Sequence, residues 1–209
     1  MSCADQPFRA RRRLGGVGNI FATAAGPPVV AATALPRAGD LRGQADAALA
    51  FDAFARAQLG GLSRLAWLLT GDRTTAEDLT AETLLAAWDR WERLLEVENP
   101  VAYLRRIMVN QAAVRIRSAV RERRRLRLFH VDALRAGTDP DGGVVVDVRA
   151  ALRHLPVRRR ACVVLRHAFD LSEEEVARIL GISVGTVKSQ TSRGMAQLQR
   201  LLSGGDGDA

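Results

Sequence analysis

The 209-residue sequence contains few of the residues from which disulfide, metal and catalytic sites are built. Its two cysteines, Cys3 and Cys162, lie in a Gly/Ala-rich start and in an apolar helical pattern, so they predict no disulfide framework and a reducing compartment. The three histidines lack the spacing of a metal set. No phosphate-binding loop, complete dinucleotide fingerprint, Ser/His/Asp set or catalytic pair of carboxylates stands out. The sequence therefore favours a protein that is not an enzyme and needs no cofactor.

Long apolar runs and aromatic side chains are also scarce. No run of about 18 apolar residues is present, so no membrane-spanning helix is predicted. Aromatic residues make up 5% of the chain although 47% of it is hydrophobic, so any core must consist mainly of Leu, Val and Ala. This composition favours small helical units, and we expect an all-α fold.

Lysine is almost absent, and the positive charge comes from arginine. Lys188 is the single lysine among 31 basic residues, which outnumber 23 acids and give a net charge of +8. GC-rich coding would explain an arginine excess equally well, so its location is more informative than its size. Residues 101–135 contain ten arginines and two acids, and they carry a net charge equal to that of the whole chain. Such a concentrated basic stretch predicts a polyanionic partner.

Composition changes along the chain divide it into five parts. Residues 1–44 are rich in Gly, Ala and Pro without helical periodicity, and both they and the tail at 203–209 are predicted to be disordered. A basic start before an apolar stretch also fits an export signal, but glycines and prolines interrupt the apolar part. Helical periodicity marks one domain at 45–126 and a second at 147–202. Residues 127–146, rich in Gly, Pro and Asp, are predicted to form a flexible linker.

Three helices are predicted in the first domain, from apolar residues that recur with a period of 3.6. The first should end at Gly71, a typical C-terminal signal. The second should begin at Thr74–Thr75–Ala76–Glu77, which has the spacing of a capping box. The third should begin at Asn99–Pro100, with proline at the first helical position. The residues predicted to face inward include Leu49, Trp88 and Val114.

The outward faces of the second and third helices carry opposite charges. The outward row of the second helix consists of Asp78, Glu82, Leu85 and Asp89. At about 100° per residue, one side of the third helix carries Arg106, Asn110, Arg117, Arg121 and Arg124. Because acids that could pair with these arginines are nearly absent, a contact with nucleic acid is favoured over an ordinary solvated face.

The second domain has the pattern of a helix-turn-helix. Ser172 caps a short helix, Gly181 makes a tight turn, and Ser183 caps the last helix. The outward face of that last helix carries Gly185, Thr186, Ser189, Ser192, Arg193 and Ala196, with Lys188 and Gln190 on its flanks. Small residues let a helix backbone enter a major groove about 12 Å wide, so this face predicts DNA binding over an ordinary helical hairpin.

Three segments resemble a known family. Ala76–Glu77–Asp78–Leu79–Thr80–Ala81–Glu82–Thr83–Leu84–Leu85–Ala86–Ala87–Trp88 resembles the second conserved region of bacterial RNA polymerase sigma factors, and residues 99–110 resemble the helix that follows it. Residues 155–160 and 171–198 resemble the fourth sigma region. With both regions in order over about residues 47–202 and no large region between them, the chain is identified as a member of the extracytoplasmic-function (ECF) group, in its actinobacterial form.

The resemblance implies a role for each surface. It implies that Asp78, Glu82 and Asp89 grip a coiled coil on the largest polymerase subunit, and that the linker threads toward the active cleft. It implies that the loop at 93–99 and the third helix recognise and open the −10 promoter element through Arg106, Asn110, Arg115 and Arg117. It implies that the last helix reads the −35 element through Thr186, Lys188, Ser189, Gln190, Ser192 and Arg193.

Three positions depart from the family pattern. Ala81 stands where the family usually has Gln, Leu84 stands near a usual Phe, and Gln190 stands where Arg commonly follows Lys–Ser. The first two put polymerase contact or local packing in doubt. The third puts the −35 base preference in doubt, because Gln prefers adenine where Arg prefers guanine.

The resemblance implies a cytoplasmic initiation factor whose partners are core RNA polymerase and promoter DNA, with no membrane contact. Whether an anti-sigma protein restrains it stays open. One alternative is a stand-alone helix-turn-helix regulator, which would need a sensor or dimerisation domain that residues 47–125 do not resemble. Another is an enzyme acting on nucleic acid, which would need an acidic metal cluster beside the basic helix; none is visible in the sequence.

Overall fold

Eight α-helices occupy the two stretches that the computed structural model describes, residues 43–128 and 143–203. The first unit consists of α1 (Gln44–Thr70), α2 (Arg73–Trp88), α3 (Trp91–Glu96) and α4 (Pro100–Leu128). The second unit consists of α5 (Gly143–Arg153), α6 (Val157–His167), α7 (Glu173–Leu180) and α8 (Val184–Ser203). No strand occurs in these stretches, and the predicted all-α class is confirmed. Most of the predicted N-terminal extension, linker and tail lies outside the described residues.

The ends of α1 and α2 follow from two adjacent residues. Gly71 takes the left-handed conformation at φ 73°, and its N–H donates to the Trp67 carbonyl, which ends α1 as predicted. The predicted cap of α2 at Thr74 is wrong. The N-cap is Asp72, which is extended at φ −134° and ψ 133° and accepts the Thr75 N–H at 2.7 Å. Asp is among the best N-caps, and here it directly follows the residue that ends the previous helix.

The long helix α4 begins where the sequence predicted and ends later. Pro100 is its first residue, and the Asn99 side chain accepts the Ala102 N–H at 2.9 Å. The helix continues to Leu128 because residues 101–128 contain no glycine or further proline. On the other side, α5 already begins at Gly143. Six residues of the predicted 127–146 linker, at 127–128 and 143–146, are therefore helical.

The core of the first unit lies where α1, α2 and α4 pack on one another. Its largest fully buried side chains include Phe54, Leu65, Leu69, Leu79, Leu104 and Met108. Three residues predicted to face inward are exposed instead, with Leu49 at 70%, Val114 at 56% and Trp88 at 40%. At 1.5 Å per residue, α1 and α4 are each about 40 Å long and α2 is about 24 Å. The start of α1, which contains Leu49, therefore extends past α2. Val114 instead lies beside α2 on an uncovered side of α4, since Gln111 and Arg115 contact residues 82–83.

The second unit is built on α6, which lies at its centre. Residues 161–165 of this helix are completely buried. The predicted capping box of α7 is confirmed, since the Glu175 N–H donates to the Ser172 hydroxyl and the Ser172 N–H donates to the Glu175 carboxylate. Gly181 makes the turn at φ 64°, and the Thr186 N–H donates to the Ser183 hydroxyl at 3.2 Å. The predicted helix-turn-helix is thus formed by α7, the Gly181 turn and α8.

The two units pack against each other through one continuous hydrophobic core. Arg160 of α6 is 3% exposed and donates to the Leu69 carbonyl at the end of α1, and also to the carbonyls of Arg153 and Leu155. Burial lowers the pKa of Arg160 to about 10, so it stays charged at neutral pH. The two helical units therefore share a core in this structure.

An aromatic ring of the second unit strengthens the contact. Phe169, which follows α6, lies between the guanidinium groups of Arg64 and Arg105, at 5.5 and 5.2 Å from its ring centroid. Both arginines belong to the first unit, and cation–π contacts of this kind each contribute about 0.5–2 kcal/mol. Basic residues of α1 and α4 are thus used to hold the second unit.

Candidate protein and nucleic-acid interfaces

The outward face of α2 is an acidic row with an apolar residue in it. Asp78, Glu82 and Asp89 are all exposed on one side of the helix, as predicted. Leu85 lies between Glu82 and Asp89 in the same row and is 64% exposed. A single exposed leucine is common on folded proteins, so this row becomes a candidate protein interface only together with its neighbouring surface. We define this set of four residues as the α2 row.

A shallow groove continues the surface at the end of α2. It has a volume of 590 Å³ and is lined by Ala47 and residues 88–93. Trp88 forms one wall, and its ring packs edge-on against Phe51 of α1 with 5.1 Å between ring centroids. The apolar wall and the Asp89 end of the α2 row therefore lie side by side.

The exposed face of α4 is cationic. Arg106, Asn110 and Arg117 are exposed and lie on one side of the helix, and Arg121 extends the same side. None of these three arginines forms an ion pair with a residue that the structure describes. Their charges are thus available to a polyanion.

Arg115 is separated from that face. It follows Arg106 by nine positions, which turns it about half a revolution around α4. Its guanidinium binds the Glu82 carboxylate of α2, with Nε 3.2 Å from Oε2 and a second contact from Nη2 to Oε1. Of the four residues predicted for the −10 element, the structure therefore brings together Arg106, Asn110 and Arg117 and leaves Arg115 on the flank that faces α2.

The segment predicted as a loop at 93–99 is partly helical. The helix α3 extends to Glu96, so only residues 97–99 connect it to α4, because Trp91 and Leu94 are buried and fix α3 against the core. Across from this connection lies α7, and a crevice of 170 Å³ between them is lined by residues that include Asn99, Arg106 and Arg178. The predicted −10 segment therefore faces the helix-turn-helix unit.

The charges on the α7 side of this crevice are held in fixed hydrogen bonds. A hydrogen bond from the backbone N–H of Ser172 lowers the pKa of Glu175. The pKa is lowered further by the Ser172 hydroxyl and by the positive charges of Arg178 and Arg105. Burial lowers the pKa of Arg105, and the nearby Glu175 opposes this. Glu175 thus serves as a cap of α7 and as the acid nearest to Arg105.

The outward face of α8 is small and polar, as predicted. Gly185, Lys188, Ser192, Arg193 and Ala196 are exposed. Thr186 and Ser189 are partly buried; the Thr186 hydroxyl lies 2.8 Å from the Ser183 hydroxyl, and the Ser189 hydroxyl donates to the Thr186 carbonyl. Lys188 lies 3.5 Å from Glu173 in an ion pair whose lysine is exposed and whose glutamate is partly buried. The exposed residues leave a helix surface that can approach a DNA groove closely.

Gln190 is not free on this face, and its partner was missed by the sequence analysis. The Gln190 side-chain oxygen accepts a hydrogen bond from Arg159 Nε at 3.3 Å, and Arg159 also donates to Gln197 at 2.9 Å. Arg159 belongs to α6, so only the packing of α6 on α8 brings its charge to the last helix. No sequence signal distinguishes it from its neighbours Arg158 and Arg160.

Other classes of site are not found in the described part of the chain. None of its helices is long and apolar enough to span a membrane. No group of three or more His, Cys, Asp or Glu residues within the same part could hold a metal ion. Burial raises the pKa of the Cys162 thiol to about 11, so this cysteine stays protonated within the core.

Comparisons with known proteins identify both units. Residues 54–122 match the family described as Sigma-70 region 2, and residues 146–198 match the family described as Sigma-70, region 4. The RNA polymerase sigma-E factor of Streptomyces coelicolor is 34% identical over 163 residues, which cover 77% of this chain and 90% of that protein. The ECF RNA polymerase sigma factor SigE of Mycolicibacterium smegmatis is 33% identical over 173 residues, which cover 78% of this chain and 65% of that protein.

Solved structures with the same fold agree with these relatives. The sigma factor RpoE, solved in complex with the anti-sigma factor NepR from Bartonella quintana, matches with a TM-score of 0.61 at 28% identity, covering 73% of this chain and 96% of that one. CnrH, solved in complex with the cytosolic domain of CnrY, matches with a TM-score of 0.54 at 27% identity, covering 77% of this chain and 94% of that one.

The helix-turn-helix, together with separate acidic and basic faces, defines a DNA-binding protein that also offers a surface to a protein partner. The matched regions and relatives place this chain within one family: it belongs to the sigma-70 family of RNA polymerase sigma factors, in the ECF group. It directs promoter-specific transcription initiation, binds core RNA polymerase and promoter DNA, and is not an enzyme. These matches favour the sigma factor over the stand-alone regulator and over the nucleic-acid enzyme.

Proposed function

We propose that three surfaces divide the work of initiation in the cytoplasm, where polymerase acts. The α2 row docks core polymerase, the exposed face of α4 opens the −10 element, and α8 reads the −35 element. One observation carries this division: the acidic row, the row of exposed cations and the small polar face lie on three different helices. Each surface therefore has its own charge and shape, and each can be altered separately.

Docking at the α2 row is supported by its mixed character. Asp78 and Asp89 are exposed acids that would attract a basic partner surface and steer its approach. Leu85, with 64% of its surface exposed, would supply apolar area that is removed from water on docking. Acids around an apolar centre match the usual anatomy of a protein interface.

Opening of the −10 element by α4 is supported by its exposed cations. Arg106 and Arg117 would neutralise backbone phosphates of a freed strand, and Asn110 between them can donate to and accept from a base edge. Melting a duplex exposes bases and phosphates along one strand, and a row on a single helix face follows such a strand. Arg115 was also predicted to contact the −10 element, and this stays a prediction that its position on the α2 flank does not favour.

Reading of the −35 element by α8 is supported by its small residues. Arg193 is exposed and suits the O6 and N7 acceptors of guanine, whereas Gln190 suits adenine. Lys188 would contact a phosphate, and the hydroxyls of Thr186, Ser189 and Ser192 would fix the helix on the backbone. Because Arg159 holds the Gln190 amide oxygen, the orientation of that amide is set before DNA arrives.

The test compares two alanine variants on two kinds of promoter template. Arg117→Ala lies on the α4 face and Arg193→Ala lies on the α8 face, so each removes one exposed arginine. With core polymerase, permanganate footprinting measures strand opening on a normal duplex, and transcript yield measures activity on a template with a pre-melted −10 bubble. We expect the bubble to rescue Arg117→Ala, because the strand that α4 would open is already open. Arg193→Ala should stay impaired, because it loses about 1–3 kcal/mol of binding at its −35 base pair. Equal rescue of both variants, or of neither, contradicts the division.

An anti-sigma protein as a further partner is supported by the RpoE structure, in which a chain of this fold is bound to the anti-sigma factor NepR. Isolation of the native protein from its own cells, followed by mass spectrometry, should recover a polymerase-free complex with a second protein. Recovery with core polymerase alone contradicts this partner.

A further inference from the structure

Arg115 and Glu82 form an ion pair that joins α4 to α2. The guanidinium of Arg115 faces both oxygens of the Glu82 carboxylate, and the Nε–Oε2 distance is 3.2 Å. The Arg115 side chain is 28% exposed and the Glu82 side chain is 50% exposed, so the pair is partly withdrawn from water. A two-point contact of planar groups fixes direction as well as distance, which a single contact does not.

The helix α4 also holds the backbone of Glu82, through Gln111. Gln111 lies one turn before Arg115, and its side-chain oxygen accepts a hydrogen bond from the Thr83 hydroxyl at 2.8 Å. The side-chain nitrogen of Gln111 donates to the Glu82 carbonyl at 3.4 Å. Thr83 is completely buried, so this contact is anchored in the core. Glu82 is therefore held at its backbone by Gln111 and at its carboxylate by Arg115.

The other acids of the α2 row have no such support. Asp78 and Asp89 form no ion pair with any described residue, and their carboxylates are exposed. Glu is longer than Asp and loses more rotamer freedom when a partner orders it. The residue that most needs a fixed orientation is thus the one that the structure orients.

We infer that Arg115 is a positioning residue for polymerase docking, which acts through Glu82 and does not contact promoter DNA. This inference rests on the proposed docking role of the α2 row. A carboxylate can accept about four hydrogen bonds, so Glu82 keeps acceptor sites for a cation of the partner while two are used by Arg115. Holding the side chain in its binding orientation removes part of the ordering cost of association.

The experiment uses the full chain and measures its dissociation constant for core polymerase. Arg115→Ala should weaken binding roughly 3- to 10-fold, the range expected from one ordered side chain. Arg115→Lys keeps the charge but loses the two-point contact, so it should restore only part of the affinity. Arg125→Ala is the matched control, because it makes the same change on the same helix, where the ion pair of Arg125 is with Glu122 of α4 itself; we expect it to leave the dissociation constant unchanged.

A double-mutant cycle tests whether Arg115 acts through Glu82. Glu82→Gln alone should weaken polymerase binding, and adding Arg115→Ala to it should cause little further loss. The unfolding free energy of each variant is measured beside the binding. A purely structural role for the pair would lower stability in Arg115→Ala and leave the dissociation constant unchanged, which would overturn the inference.

Failure of the inference and failure of the docking proposal give different results. If Glu82→Gln and Asp78→Asn both bind polymerase like the wild type, the docking assignment of the α2 row is wrong. If Glu82→Gln weakens binding while Arg115→Ala does not, the docking surface stands and the inference about Arg115 alone is wrong. If Arg115→Ala opens duplex promoters poorly but is rescued by a pre-melted bubble at unchanged polymerase affinity, Arg115 is a DNA contact.

Discussion

The two helical units differ in what they leave exposed. Among the side chains that the structure describes, the first unit exposes six large hydrophobic residues, namely Leu49, Leu59, Leu85, Trp88, Val114 and Val120. The second unit exposes only Leu201. A contiguous apolar patch is typical of a site for another protein, and Leu85 and Trp88 lie close together on α2, whereas a DNA-binding surface is polar and cationic. The difference fits the proposal that the first unit docks polymerase in addition to carrying the cationic face of α4, while the second unit meets a DNA groove.

The units also differ in how their helices are stabilised. The first unit has helices of 27 and 29 residues that bury long apolar stripes. Each unit also contains a short helix: the 6-residue α3 of the first unit has no side-chain cap, whereas the 8-residue α7 of the second has a capping box. Because isolated helices under about 12 residues are marginal in water, α7 depends on its caps and on packing. The capping box at Ser172 stabilises the N-terminus of this short helix, and the left-handed Gly181 ends it at the C-terminus.

The largest expected effect is the difference in unfolding free energy between replacing a buried leucine and an exposed leucine of α2. Leu79→Ala removes a completely buried side chain and should lower the unfolding free energy by about 2–5 kcal/mol. Leu85→Ala is the same change on the same helix at a 64% exposed position, and should alter stability by less than about 0.5 kcal/mol. Urea denaturation measures both values.

The exposed leucine should show its effect in binding. We expect Leu85→Ala to weaken association with core polymerase at least fivefold, which corresponds to about 1 kcal/mol for a central interface residue. Wild-type affinity in Leu85→Ala would show that exposed apolar area in the first unit does not serve docking, and the contrast between the units would lose its functional meaning.

The next effect compares two glycines of α8. At Gly194 an added Cβ would collide with the Val163 side chain and lie 3.1 Å from Arg159 Cγ, and Val163 is completely buried. Gly194→Ala should therefore destabilise the protein, because overpacking costs about 1–3 kcal/mol and helix propensity returns at most about 1 kcal/mol. Thermal unfolding measures the change.

Gly185→Ala is the matched control on the exposed side of the same helix. There the added Cβ would meet only the Ser183 hydroxyl oxygen, at 4.0 Å. We expect unchanged or slightly raised stability together with weaker −35 binding, because the methyl group separates the helix from the groove. A stable Gly194→Ala variant would mean that α6 and α8 are packed less closely than this structure has them.

A smaller effect concerns helix caps and pH. Ser172→Ala should cost about 0.5–2 kcal/mol, and Asp72→Ala should fall at the lower end of that range because the 16-residue α2 is longer. Hydrogen bonds from the Thr75 hydroxyl and N–H lower the pKa of Asp72, and the Ser172 N–H lowers the pKa of Glu175. Each cap therefore stabilises the fold fully above its unfolded pKa of about 4, and this contribution is lost as pH falls through the lower folded pKa.

Urea unfolding between pH 3 and pH 7 measures the contribution of each cap to stability. The range extends about one unit below the ordinary carboxyl pKa. Glu175→Gln should flatten the acid side of the stability profile. Glu174→Gln changes the exposed neighbouring residue, which lies outside the capping box, and should keep the wild-type profile. Identical profiles for both variants would show that the α7 cap does not contribute.

The smallest expected effect on stability comes from Lys188. Its contact with Glu173 is 3.5 Å long and the lysine side chain is 64% exposed, so Lys188→Gln should change the unfolding free energy by less than about 0.5 kcal/mol. If Lys188 contacts a phosphate, the variant should make the plot of log binding constant against log salt concentration less steep, by about 0.9. An unchanged slope in promoter binding by the holoenzyme would remove Lys188 from the DNA surface.

Short-range features of the fold were predictable. Gly71, Ser172, Gly181 and Ser183 act on the helix that contains or adjoins them, so their roles depend only on neighbouring residues. The cap of α2 was assigned wrongly because Thr74 and Asp72 both suit an N-cap, and the choice depends on where α1 stops. Leu49 and Val114 were assigned wrongly because periodicity identifies a stripe but does not reveal which part of it a neighbouring helix covers.

The functional surfaces divide in the same way. The sequence by itself determined the all-α class, the two sigma regions and the rows of like charge, because residue type and helical period are local properties of the chain. Only the tertiary structure decided that Arg115 turns to Glu82, that Arg159 holds Gln190 and that Phe169 lies between two arginines. Arg115 and Glu82 are 33 positions apart, and Arg159 and Gln190 are 31 apart. A long side chain can reach several neighbours, and the packing of the helices decides which of them comes within hydrogen-bonding distance.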